Sequence, residues 1–150
     1  MKEEDAYYLN QKANDLLESE NYKEAIEYYL KAIEFLPDEP IFYHNMGVCF
    51  MMKKDYFNAS KVLQEAINKN IGLDETIIYL ANSLYELEDY KGVLSLSEPK
   101  GYKERLDILI LKAKSAMKVN NKDLALQIIK MLKVSGYESQ ELDLIEKMVT

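Results

Sequence analysis

Apolar and small residues return along this chain every 34 positions: Leu9, Tyr43 and Ile77; Ala13, Gly47 and Ala81; Leu16, Phe50 and Leu84. Tyr22, Tyr56 and Tyr90 keep the same stride, each preceded by Asn or Asp. A period of this length means that each unit is one supersecondary element, which buries its apolar face only by stacking on the next. Within the units the pattern predicts helices over 5–19, 22–36, 40–53, 56–69, 74–87, 90–97, 103–119, 122–134 and 139–149. Asn21, Asp55, Asp89 and Asn121 each stand just before the second helix of a pair, where a short polar side chain accepts from an exposed backbone N–H.

Four units fill the chain: Ala6 to Glu39, Pro40 to Leu73, Asp74 to Arg105 and Leu106 to Ser139. Small residues fall where two antiparallel helices touch, at Ala13, Ala25 and Ala32, then at Gly47, Ala59 and Ala66, with Tyr29 or Leu63 between the later pair. Small side chains bring helix axes to the short end of the usual range of about 8–10 Å. Pro37 stops one helix, and Pro40 starts the next at a position that needs no N–H donor. The third unit keeps Ala81, Leu84 and Tyr90 but carries Val93 in place of a small residue, and its register slips by two before Ala113 and Ala125 restore the pattern. Between Lys91 and Gly101 two glycines, two serines and Pro99 interrupt its second helix, which predicts about two helical turns followed by an extended loop.

These residues resemble the tetratricopeptide repeat (TPR), which has small residues at its eighth, twentieth and twenty-seventh places, an aromatic between them and a closing proline. The resemblance covers residues 6–139 and implies an all-α superhelix, a solenoid of about four helix pairs forming one domain over 1–150. Ser139 can cap a final helix, 139–149, whose Leu142, Ile145, Met148 and Val149 are expected on one face, packed on the open end of the fourth unit as a terminal cap.

The resemblance also implies a concave groove built mainly from the first helix of each pair. Its candidate peptide-binding residues are Tyr7, Asn10 and Asn14, then His44, Asn45, Val48 and Met52, then Ile78, Tyr79, Asn82 and Tyr85, and finally Lys114 and Lys118. Asparagine suits an extended ligand because one side chain offers both a donor and an acceptor to peptide backbone. Tyr and Met add adaptable apolar contact. The family's chaperone-tail mode clamps a C-terminal carboxylate with two asparagines and three basic residues. Asn14 and Asn45 match the asparagines, but Asn10, Glu75 and Tyr79 stand where the bases belong, which argues against a chaperone tail. Lys114 and Lys118, one turn apart, offer an attraction to an acidic end of another ligand.

Charge sharpens the choice of partner. The net charge is −7, yet residues 1–98 hold 9 Lys against 19 acids while 99–134 hold 9 basic residues against 3. With one arginine, Arg105, phosphate recognition is poorly served, and nucleic acid is not an expected partner. No run of 18 apolar residues and no basic-then-apolar leader is present, so membrane insertion is not expected and a cytoplasmic location is. Cys49, the one cysteine, cannot form an internal disulfide and reads as a small buried thiol.

His44 is the one histidine, so no histidine-based metal cluster or charge relay is available. No Gly-rich phosphate loop or metal-spaced Cys/His set occurs. The sequence therefore predicts a non-enzymatic protein- or peptide-binding scaffold without cofactor or metal, with a monomer favoured. The alternative is a self-association or docking module of a larger protein or complex.

Overall fold

The computed structural model describes residues 2–150, so Met1, the first residue of the N-terminus in which no leader is expected, lies outside the described residues. Among them are nine α-helices and no strand: α1 (Lys2–Glu18), α2 (Tyr22–Phe35), α3 (Pro40–Met52), α4 (Tyr56–Asn68), α5 (Asp74–Glu86), α6 (Tyr90–Leu94), α7 (Tyr102–Lys118), α8 (Lys122–Val134) and α9 (Gln140–Val149). Every helix expected from the sequence is present. The chain forms two compact units, residues 1–83 and 84–150.

The turns inside the helix pairs are built alike. The N–H of Asp55 donates to the Phe50 carbonyl while that of Lys54 donates to Met51, the paired closing bonds of a Schellman motif. Asp55 then turns its carboxylate to the N–H of Asn58 and caps α4. One residue thus ends a helix and begins the next. Asp89 and Asn121 cap α6 and α8 in the same way. Asn21 departs from expectation: its backbone has the same conformation, but its side chain makes no capping bond.

In the first unit, α1 and α2 meet through Ala13, Ala25 and Tyr29, against which Met46 and Cys49 of α3 pack. Ala6, Ala32 and Phe42 form a second cluster beside it. Ala25, Ala32, Ala59 and Ala66 are fully buried, as helices touching at small residues require. Gly47 has the same origin: a Cβ there would lie 2.5 Å from Leu63 Cδ2.

In the second unit, α7 and α8 pack through Leu109, Ala113, Ala125 and Ile129, and α9 adds Leu142, Ile145 and Val149 to that core. Met148, expected on the same face, is 63% exposed. The buried set repeats at three and four residues, and Met148 falls one position outside that stripe. Helix α6 is only 5 residues long, shorter than the two turns expected. In the segment after it Pro99 is buried, and Lys112 Nζ donates to the Leu96 carbonyl at 2.5 Å. Burial lowers the pKa of Lys112, with nearby Glu98 opposing.

Candidate functional site

Within the first unit, the candidate residues fall on α1, α3 and α5; Tyr7, Asn10 and Asn14 on α1 and Asn45, Val48 and Met52 on α3 are three or four apart and share a helix face, whereas His44 and Ile78 are each adjacent to another candidate. Asn45 Nδ2 donates to Asn10 Oδ1 at 3.0 Å, joining α3 to α1. Each amide satisfies half of the other, leaving the Asn45 carbonyl oxygen and the Asn10 amino group for a ligand. Asn14 is committed differently: its Oδ1 accepts from the buried Tyr29 hydroxyl at 2.5 Å, and burial holds that phenol well above its ordinary pKa. Asn82 on α5 is exposed.

His44 is not an open groove residue. It is 6% exposed, its Nδ1 lies 2.8 Å from Thr76 Oγ1, and its ring packs against Tyr79 with centroids 5.8 Å apart. Burial pushes its pKa below the usual value, with Glu75 pulling the other way. The histidine therefore joins α3 to α5. Val48 and Ile78 are half-buried and Met52 is exposed. Tyr7 meets Phe42 edge to face at 5.3 Å, close to where α1 begins. The structure thus joins Asn10 to Asn45, leaves Met52 and Asn82 exposed and Val48, Ile78 and Tyr79 half-buried, and gives His44 and Asn14 supporting roles.

The remaining candidates lie in the second unit. Tyr85 stacks edge to face on Tyr90 at 5.4 Å. Lys114 is ion-paired with Glu141 of α9, whereas Lys118 is exposed. Tyr85, Lys114 and Lys118 border one pocket of about 350 Å³, with Met117 of α7 between them. Its other wall is Glu141, Leu144, Ile145 and Met148. Sequence reasoning missed that wall because it placed Met148 on the packed face of α9 and did not use Leu144, whereas both are exposed. The signal was available: Leu144 and Met148, four apart, are apolar positions that the buried stripe of α9 does not use.

Cys49 is fully buried, and burial raises its thiol pKa to about 11, so it is protonated and unreactive at neutral pH. No group of three or more His, Cys, Asp or Glu suited to a metal is found among the described residues. No helix among them is long and apolar enough to cross a membrane.

A family described as "TPR repeat" matches residues 13–54, the stretch in which the spacing of small residues is most regular. The structure carries the same helix-pair pattern beyond it, and its solved likenesses include TPR domains. Residues 13–54 are thus similar to the TPR repeat, and the fold of the described residues is that of TPR solenoids. Over 113 residues it is 30% identical to TOM70, a mitochondrial import receptor subunit of Saccharomyces cerevisiae; the match takes in 64% of this chain and 16% of that protein's length. Among solved structures, PilF of Pseudomonas aeruginosa superposes with a TM-score of 0.63 at 20% identity, covering 95% of this chain and 66% of that one. The TPR2B domain of yeast Sti1, in complex with pHsp70, gives 0.56 at 17% identity, covering 84% and 91%. The TPR fold typically mediates protein–protein or peptide binding.

Proposed function

We propose that this TPR chain is a non-enzymatic scaffold that holds an extended protein segment, and that in the first unit the site is the inner face of α1, α3 and α5. The observation that carries this reading is the Asn10–Asn45 pair with exposed Asn82 one helix on. Donors and acceptors are held there at fixed places on an apolar surface, and the Asn10–Asn45 bond holds that pair before any ligand arrives. Such a surface binds main chain and leaves sequence preference to the pockets around it. Sti1, with its pHsp70, is a structural likeness of this chain, and a fold shared at that identity neither grants nor excludes a chaperone tail here. Glu75 and Tyr79, at places where a tail carboxylate would need bases, argue for a ligand of other chemistry.

A photo-crosslinking side chain at Asn82 tests the reading. Exposed to an extract of the source organism, it should capture a protein that the same group at Gln64, exposed on α4, does not. Equal capture at both positions would move the site off the inner face.

A second reading, a docking or self-association surface, is favoured by Tyr8, Leu30 and Phe35 of α1 and α2, which are 66%, 49% and 41% exposed. Light scattering separates the two: a constant monomer mass across micromolar concentrations removes self-association.

A further inference from the structure

Helix α9 is more than a cap. Its Leu142, Ile145 and Val149 fill the core, yet it presents Leu144 and Met148, 60% and 63% exposed, on a second side. An end cap that served solubility alone would carry polar residues there. Both residues instead line the pocket of about 350 Å³ whose opposite wall is Met117 and Tyr85. That volume lies at the small end of ligand sites and suits one large side chain rather than a whole cofactor. Thioether sulfurs from two sides and an aromatic wall favour an aromatic ring in particular.

The charges at the rim select what must accompany that ring. Glu141 is taken up by Lys114, whereas Lys118, on the same pocket, has no acidic partner among the described residues. One lysine is therefore left to meet one carboxylate at the mouth of an apolar hole. We infer that the α7–α9 pocket of the second unit binds a peptide segment in which an aromatic side chain is followed directly by an acidic residue. The aromatic ring sits between Met117, Leu144 and Met148, and the carboxylate pairs with Lys118. This inference rests on the scaffold reading and gives it a specificity pocket distinct from the amide face of the first unit.

The chain contains seven methionines, so labelling their methyl carbons makes the pocket visible by NMR. The probe is the capped peptide acetyl-Gly-Phe-Asp-Gly-amide, with Asp-to-Lys and Phe-to-Ala versions as controls. The Met117 and Met148 methyl signals should shift saturably with the first peptide, with a dissociation constant of about 1 mM or better, and not with the controls. Lys118→Glu should weaken binding by about fivefold or more, and Glu141→Gln, which releases Lys114, should strengthen it by a similar factor. Leu144→Asp, at an exposed position, should abolish the shifts while leaving the core methyl of Met46 in place.

Unmoved Met117 and Met148 signals, or equal binding of the Lys-containing control, would overturn the inference. Shifts at Met51 and Met52 alone would overturn it too while leaving the scaffold reading intact. Broadening of the Met117 and Met148 signals with protein concentration in the absence of peptide would assign the pocket to a second copy of the chain and likewise overturn it.

Discussion

Lys54 occupies left-handed backbone at φ 63°, as do Glu20, Asn70, Glu88 and Asn120, and none of them is glycine. Each closes a helix, a place where a Cβ costs energy that glycine avoids. Lys54→Gly should therefore raise stability by about 0.5–1 kcal/mol, read as a higher urea midpoint with an unchanged slope. Gly47 presents the opposite case. A Cβ would meet Leu63 Cγ at 2.6 Å, and Leu63, itself fully buried, has nowhere to withdraw. Gly47→Ala should cost about 1–3 kcal/mol of unfolding free energy in the same assay. His44 adds a pH dependence. Its pKa is lowered in the folded chain, so the unfolded chain binds the proton more readily. The contribution of His44 is complete above the unfolded value of about 6.5 and is lost as pH falls from there toward the folded pKa. The urea midpoint should fall on going from about pH 7.5 to about pH 5.5, and His44→Gln should flatten that fall.

Among the elements, α6 is the one that the repeat does not complete. It has five residues where α4 has thirteen, and in the segment between α6 and α7 Pro99 is buried and the Leu96 carbonyl accepts from Lys112. Backbone amides over 91–101 should exchange faster than those over 56–68, and Lys112→Ala should speed them further without changing α4; equal protection of the two segments would refute this. The weakness was legible in advance, since Gly92, Pro99 and Gly101 are explicit breakers. So were the helices and their small-residue contacts, because a 34-residue stride leaves few places for Ala13, Ala25 and Ala59 to go. The left-handed turns were not, because Glu20, Lys54 and Glu88 give no local signal for positive φ. Nor was the Lys112 anchor, since a lysine on α7 looks like any other until a carbonyl 16 residues earlier is placed against it. Likewise Asn14 and Asn45 look equivalent in sequence, and only the Tyr29 hydroxyl separates the braced amide from the one still able to bind.

For the whole molecule, charge and surface chemistry divide along the chain. Residues 1–98 carry 19 acids against 9 lysines and the amide face of α1, α3 and α5; residues 99–134 reverse the balance with 9 basic residues against 3 acids. On the proposed reading, the first unit offers hydrogen bonds to main chain and supplies affinity, while the second offers a pocket with Lys118 on its rim and supplies side-chain preference. Neither role calls for a reactive group, in keeping with a buried, protonated Cys49 and a His44 committed to Thr76.

Whether ligands are held by the amide face is tested most directly by capture from an extract of the source organism, comparing the wild-type chain with Asn45→Ala/Asn82→Ala and identifying retained proteins by mass spectrometry. Asn82 is exposed and Asn45 is half-buried, outside the core, so the variant should keep the wild-type helical content and melting temperature within a few degrees. A protein retained by the wild type and lost from the folded variant is the expected result; equal retention by both would contradict a site on that face.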